Sequence, residues 1–151
     1  MSTQQLFSGI SLKALLCTVG ADKIDMREFT RLCGCSHDEV LGEECWVSVQ
    51  NWRAATDYLL ELYEGDGDLF FKSGRRCGDY RLLGPLEFLP WFLSTPALLM
   101  HNIEIVMADL DTILEPKVEF ISNDACRIVL NSRDGTLPPA RYLDFLQGYL
   151  I

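Results

Sequence analysis

The sequence predicts an α+β fold that is mainly α-helical, with an N-terminal helical part followed by a small antiparallel sheet and a C-terminal helix. Three observations predict it. Apolar residues recur at helical spacing over the first two thirds of the chain. The pattern then becomes strand-like in two short runs, and helical spacing returns near the end. Because 151 residues can bury a sizeable core, we expect residues 1–151 to form a single domain.

Capping residues mark where several helices begin. Asp25 stands three positions before Glu28, and Ser36 stands three positions before Glu39, which is the spacing of a capping box. Ser48 precedes a longer apolar stripe and predicts another start. The predicted helices span 10–19, 26–32, a short stretch from Ser36, 49–63, 68–76, 85–93, 96–114 and 140–151.

Two runs of apolar and β-branched residues predict a β-hairpin. The runs cover 117–121 and 126–130, and Ser122-Asn123-Asp124 between them is a turn signal. The chain ends on an apolar stretch, 148–151. We therefore expect either that this helix end is buried or that the domain is the input part of a longer signalling protein.

Composition excludes several classes of function. The net charge of −9 opposes binding to the phosphates of nucleic acids. The N-terminus lacks the features of a signal peptide, and no apolar run approaches the ~20 residues that span a bilayer. We expect a cytoplasmic protein that contacts neither nucleic acid nor membrane. The sequence also lacks a Gly-x-Ser-x-Gly elbow and a phosphate-binding glycine loop, so we do not expect an enzyme.

Three of the six cysteines lie close together in the sequence, with a histidine among them. Cys33, Cys35, His37 and Cys45 are residue types that bind zinc, although a single residue separates the first two cysteines, whereas structural zinc sites usually have at least two between paired cysteines. A thiol that responds to oxidation is a second interpretation, and ordinary cysteines of helix ends and core are a third. The residues leave these three alternatives open.

His101 is the candidate metal ligand. It lies in the predicted helix 96–114, where the positions that share its face are mostly apolar. An imidazole in such surroundings either hydrogen-bonds a polar partner in the core or coordinates a metal, of which haem iron is one.

Several short motifs follow one another in a characteristic order. They are Gly9 before the first helix, Trp-Val-Ser at 46–48, Ser-Gly-Arg at 73–75, Leu-x-His at 99–101 and a later proline, Pro116. This order resembles the haem nitric oxide/oxygen-binding (H-NOX) family. The resemblance implies haem as cofactor, with His101 as the proximal iron ligand and Pro116 packed near the haem.

The resemblance also implies a group that holds the haem propionates. The family's Tyr-x-Ser-x-Arg motif aligns with Leu130, Ser132 and Asp134, so only the serine is kept. Arg133 lies one position early, and neighbouring residues of a strand point to opposite faces. The expected cofactor-binding residues are therefore His101, Pro116, Ser132 and Arg133.

These motifs imply a sensor that binds haem and a diatomic gas, nitric oxide or oxygen. Its partner would be a signalling protein such as a histidine kinase, a cyclic-dinucleotide enzyme or a chemotaxis receptor. The altered propionate motif favours an alternative, a haem-free domain that binds another ligand or a protein and serves as the input domain of a bacterial signalling or transcription regulator.

Overall fold

The computed structural model describes residues 6–41, 45–65, 68–77, 79, 100, 102–108, 110–122, 125–133, 135 and 137–150. The helices in this part of the chain are α1 (Gly9–Val19), α2 (Met26–Cys33), α3 (His37–Leu41), α4 (Val49–Leu62), α5 (Leu69–Arg75), α6 (Ile103–Ala108) and α7 (Ala140–Leu150), with a 3₁₀ turn at Ala21–Lys23. The strands are β1 (Leu6–Ser8), β2 (Trp46–Ser48), β3 (Leu114–Phe120) and β4 (Cys126–Ser132). The prediction of an α+β, mainly helical chain with a C-terminal helix is confirmed.

Two strands that the sequence pattern did not predict organise the N-terminal part. β1 and β2 pair antiparallel, with Phe7 opposite Val47. Each strand ends in a serine whose hydroxyl caps the next helix: Ser8 accepts from the N–H of Ile10, and Ser48 accepts from the N–H of Asn51. The ribbon therefore fixes the starting points of α1 and α4 relative to each other.

One of the two predicted capping boxes forms completely. The N–H of Ser36 donates to the Glu39 carboxylate over 2.7 Å, and the N–H of Glu39 donates to the Ser36 hydroxyl over 3.3 Å. At α2 the Asp25 carboxylate caps the helix. The backbone N–H of Asp25, however, donates to the hydroxyl of Tyr58 and not to the carboxylate of Glu28. The second box is therefore only half formed, because Glu28 pairs with a neighbouring arginine of the same helix.

Aromatic side chains from distant segments form the centre of the core. Phe7 lies 5.1 Å from Trp52 and 4.4 Å from Tyr142, measured between ring centroids. Trp52 meets Tyr142 edge to face at 5.6 Å, and the indole N–H donates to the Ser11 hydroxyl over 3.0 Å. These rings are fully buried, so β1, α4 and α7 share one packed centre.

The prediction of a helix over 96–114 is wrong at its C-terminal end. α6 ends at Ala108, and Leu114 is the first residue of β3. Between them Asp111 bridges to Phe7 of β1, and the N–H of Ser8 donates to the carbonyl of Leu110. Pairing with β1 thus replaces the last helical turns. The predicted helix 85–93 lies outside the described residues.

The predicted hairpin is present and longer than expected. β3 and β4 pair over seven positions, from Leu114 opposite Ser132 to Phe120 opposite Cys126. Ser132 therefore belongs to a strand, whereas the sequence pattern ended that strand at Leu130.

Helices α5 and α7 cross at close range through two glycines. A methyl group built on Gly74 would overlap the carbonyl oxygen of Phe145, and one built on Gly148 would overlap the carbonyl oxygen of Phe71. Both glycines lie inside helices, where glycine costs about 1 kcal/mol relative to alanine. The two glycines allow this close contact between the two backbones.

Among the described helices, none has both the length and the apolar character required to cross a bilayer.

Candidate functional site

The structure brings two of the predicted haem-contacting residues onto one face of the hairpin. Pro116 is buried in β3 and pairs with Leu130. Ser132 is half-buried and pairs with Leu114. Because directly paired residues and alternate residues of a strand share a face, Pro116 and Ser132 lie on the same side of the hairpin. His101 lies outside the described residues.

Arg133 does not join this face. Its backbone N–H donates to the carbonyl of Ile113, which extends the ladder by one position and places the side chain on the alternate side. The guanidinium Nε donates to the carbonyl of Leu114 over 3.4 Å. The arginine side chain is thus bonded to the backbone of β3 and largely exposed.

The described residues do not fit a cradle for haem propionates. Such a cradle requires cations or hydroxyl donors aimed at two carboxylates. Ser132 offers one hydroxyl on the face that carries Pro116, while Arg133 is bonded elsewhere. The buried phenol of Tyr142 is bonded to Asp111 rather than to this face.

The cysteine group is arranged as a thiol cluster. The Cys45 thiol donates to Cys35 Sγ over 3.3 Å, and Cys33 lies close enough for the charges of Cys35 and Cys45 to act on it. Burial is the largest cause that raises the pKa of both Cys33 and Cys45 to about 12. His37 is exposed at the start of α3 beside Asp38. In the part of the chain that the structure describes, no three ligating side chains converge as a metal site.

A buried carboxylate accepts three hydrogen bonds within the core. Asp111 is 1% exposed, and it accepts hydrogen bonds from the N–H groups of Ile113 (2.8 Å) and Leu114 (2.6 Å) and from the Tyr142 hydroxyl (2.8 Å). Burial raises the pKa of Asp111, and the three hydrogen bonds and the charge of Arg133 act in the opposite direction. Burial also raises the pKa of Tyr142 well above its ordinary value, and the charge of Asp111 adds to that rise.

An open cavity of about 290 Å³ lies between α4 and the beginning of α7. Its lining combines the buried residues Trp52 and Thr56 with charged residues. The lining residues are Trp52, Arg53, Thr56, Asp57, Pro139, Ala140 and Arg141. Arg141 forms an ion pair with Asp57, and its guanidinium also lies 5.7 Å from the ring of Phe70. Arg53 is exposed on the first half of α4.

The cavity and the buried carboxylate are directly connected. Tyr142 follows the cavity residue Arg141 in the first turn of α7, and the cavity residue Trp52 contacts the Tyr142 ring edge to face. The Tyr142 hydroxyl then reaches Asp111, which caps the start of β3. A chain of three side chains thus runs from the cavity to the hairpin.

Sequence reasoning missed both the cavity and this polar connection. In the sequence, Trp52 and Tyr142 recur with apolar residues at helical spacing, a pattern that indicates core positions. Neither pattern could indicate Asp111 as the partner, because 31 positions separate it from Tyr142. A local signal was present at Asp111, because aspartate side chains often accept a hydrogen bond from the backbone N–H two positions later. That pattern indicates a turn and not a tyrosine partner.

Comparison with known proteins gives no matching family model, no matching curated protein and no matching solved structure for this chain. The function is therefore inferred from the side chains and their contacts.

Proposed function

We propose that this chain is a haem-free sensory input domain that binds a small organic anion in the cavity between α4 and α7. The observation that carries the proposal is the composition of that cavity: two arginines, Arg53 and Arg141, line it together with the buried Trp52, and one carboxylate, Asp57, is paired with Arg141. Ligand sites in proteins typically combine an apolar surface with a few polar groups that fix orientation.

Charge supports an anionic ligand. The chain carries a net charge of −9, so an anion meets overall repulsion unless positive groups are placed locally. Arg53 and Arg141 supply such groups at one opening. A ligand carboxylate would take bidentate hydrogen bonds from Arg141 in exchange for the exposed pair with Asp57. Exposed pairs contribute little to stability, so breaking the pair itself costs little. The Asp57 carboxylate also lines the cavity and repels the anion, and the charge of Arg53 opposes that repulsion.

Size supports a small ligand rather than haem. About 290 Å³ lies just below the range of roughly 300–1,000 Å³ for ligand pockets. An organic acid with a short apolar or aromatic body suits this volume. The proline and alanine at the beginning of α7 provide an apolar wall for that body.

The contacts of Tyr142 supply a route for signalling. A ligand bound by Arg141 would contact the first turn of α7. Tyr142 in that turn donates a hydrogen bond to Asp111, the carboxylate that caps β3. A shift of α7 would thereby reach the hairpin, provided the ligand binds one position of the helix more tightly than the other. The output partner in this proposal is a signalling or transcription regulator.

Haem-based gas sensing stays a prediction of the sequence resemblance. Its iron ligand, His101, lies outside the described residues. The described residues hold Pro116 and Ser132 on one face but provide no guanidinium there for a propionate. The haem-free alternative is therefore the function we adopt.

A thermal-shift titration with matched acid and amide probes tests the proposal. Benzoate and hexanoate should raise the midpoint of unfolding in a saturable way, whereas benzamide and hexanamide should not. Arg141→Gln should weaken binding of the acids by about tenfold or more, since a hydrogen bond to a charged group contributes about 1.5–3 kcal/mol.

Arg127→Gln is the matched control for that variant. Arg127 is an exposed arginine on β4 that also faces a carboxylate, Glu119, but it does not line the cavity. This variant should bind the acids like the wild type. Equal stabilisation by acids and amides, or unchanged acid binding in Arg141→Gln, would contradict the proposed site.

A further inference from the structure

Two cysteine thiols ten positions apart lie in direct contact. The Sγ atoms of Cys35 and Cys45 are 3.3 Å apart, and the Cys45 thiol donates its hydrogen to Cys35. Cys35 is half-buried, whereas Cys45 is 4% exposed. One thiol of the pair can therefore meet a small molecule from solvent, and the other is protected behind it.

The backbone holds this contact from both sides. α2 ends at Cys33, and the φ of +71° at the next residue, Gly34, turns the chain toward Cys35. The complete Ser36–Glu39 box then fixes the start of the next helix. On the other side the carbonyl of Cys45 accepts the N–H of Gly9 over 2.6 Å. A Cβ at Gly9 would come within 2.7 Å of the Cys45 Cβ, so the glycine allows this close approach. The contact thus joins the end of α2 to the junction of β1 and α1.

We propose that Cys35 and Cys45 are a redox modification site, which a low-molecular-weight disulfide such as oxidised glutathione converts into an intramolecular disulfide. The Cys35 thiolate attacks one sulfur of oxidised glutathione, and glutathione thiolate leaves. The Cys45 sulfur then attacks Cys35 in the mixed disulfide, and a second glutathione leaves. The two cysteines together lose two electrons and two protons, and two molecules of reduced glutathione form.

The surroundings of the two thiols assign the order of these steps. Exposure makes Cys35 the sulfur that an oxidant reaches first. The thiol of Cys45 has a pKa of about 12, raised first by burial and then by its hydrogen bond to Cys35 and by the charge of Cys35. Formation of the mixed disulfide removes that charge. Burial, the largest cause of the rise, remains after the first step, so Cys45 acts second because it is buried behind Cys35.

Oxidation would close a short loop that contains α3. A disulfide stabilises a protein mainly by restricting its unfolded chain, so the oxidised form should unfold at a higher temperature. This site is separate from the cavity between α4 and α7, because none of the cavity residues belongs to the thiol cluster. The inference therefore stands independently of the proposed function.

The test uses the full chain with Cys17→Ser and Cys126→Ser, which removes the two exposed thiols and their intermolecular disulfides. The protein is incubated with oxidised glutathione, the free thiols are counted, and the digest is mapped without reduction. The expected result is two fewer free thiols per chain, a peptide pair linked through Cys35 and Cys45, and return of both thiols after dithiothreitol. Unchanged thiols, or a link through Cys33 or Cys77, would overturn the proposal.

A single substitution tests the order of the steps. In the same background, Cys45→Ala keeps the Cβ that packs beside Gly9 and removes only the second sulfur. Glutathione should then remain attached at Cys35, detected as one adduct per chain on the peptide that contains it. An adduct on any other cysteine, or no adduct where the parent protein forms its disulfide, would contradict the assigned roles.

Discussion

The hydroxyl of Tyr142 donates a 2.8 Å hydrogen bond to the carboxylate of Asp111 across 31 positions of sequence. The other oxygen of that carboxylate accepts the N–H groups of Ile113 and Leu114. Both side chains are buried, and the Tyr142 ring also packs on Phe7 and Trp52. One pair of residues therefore joins the last helix, the start of the hairpin and the wall of the cavity.

Removal of the Tyr142 hydroxyl should destabilise the fold. Tyr142→Phe keeps the ring contacts but leaves one oxygen of the buried carboxylate without its phenol donor. A lost partner of a buried polar group costs about 1–3 kcal/mol in the free energy of unfolding. Urea denaturation followed by circular dichroism measures this difference.

Tyr58→Phe is the matched control for that variant. The Tyr58 hydroxyl accepts the backbone N–H of Asp25 at an exposed site, where water can replace it. Its effect should be clearly smaller than that of Tyr142→Phe. Equal losses in the free energy of unfolding would show that the buried hydrogen bond stabilises the fold no more than the exposed one.

The raised pKa of Asp111 predicts a specific dependence of stability on pH. Because the folded-state pKa lies above the ordinary value of 3.8, the folded protein holds this proton to higher pH than the unfolded chain does. The stability that Asp111 contributes is therefore fully present below its ordinary pKa and is lost as the pH rises through its raised folded-state pKa. The lowered pKa values of Glu28, Glu39 and Glu64 have the opposite effect, so a variant is needed to isolate Asp111.

Asp111→Asn supplies that comparison. The amide oxygen can accept the two backbone N–H groups, the amide nitrogen can donate to the Tyr142 oxygen, and no charge titrates. The free energy of unfolding of the wild type minus that of Asp111→Asn should fall as the pH rises from about 3.8 toward neutrality. Urea unfolding over that range measures it. A difference that is flat or rises with pH is incompatible with the raised pKa.

A methyl group at Gly74 should disrupt the crossing of α5 and α7. It would overlap the carbonyl of Phe145 and lie 2.8 Å from the backbone nitrogen of Tyr149, so the two helices must separate. Overpacking of this kind costs about 1–3 kcal/mol. Gly74→Ala should lower the midpoint of thermal unfolding accordingly, whereas Gln147→Ala on the exposed side of α7 should change the free energy of unfolding by about 0.5 kcal/mol or less. Similar midpoints for the two variants would refute the close contact.

Local patterns predicted the elements whose signals are local. α1, α2 and α4 have apolar stripes and capping residues within a few positions, and the structure confirms them. The hairpin was predicted because its alternation and its turn are contiguous. The ribbon of β1 and β2 was missed because three residues cannot display a period, and their partners are forty positions apart.

Tertiary contacts decided the remaining elements and the candidate site. The apolar run up to Leu114 predicted continued helix, but the bridge from Asp111 to Phe7 ends the helix earlier. In α7, Leu143 has the spacing of the apolar stripe but is 40% exposed, because the neighbouring packing surface is taken by Tyr142, Phe145 and Leu146, which are buried. The cavity depends on how α4 meets α7, and no pattern within either helix contains that information.

A haem titration separates the adopted function from the sensor implied by the sequence resemblance. Because the described residues place no guanidinium on the face of Pro116 and Ser132, we expect added hemin to bind weakly and without a sharp, stoichiometric Soret band. Nitric oxide should leave the spectrum of the reduced mixture the same as that of free haem under equal conditions. Stoichiometric binding that His101→Ala abolishes would restore the gas-sensor interpretation.

The most direct test of the ligand site is a nitrogen–proton NMR titration of the full chain with benzoate and hexanoate. The account predicts saturable shifts at the backbone amides of Arg53, Thr56 and Arg141 and at the indole N–H of Trp52, with the amide analogues leaving these signals in place. Saturable shifts confined to another region, or no saturable shift with either acid, would contradict a cavity that binds small organic anions.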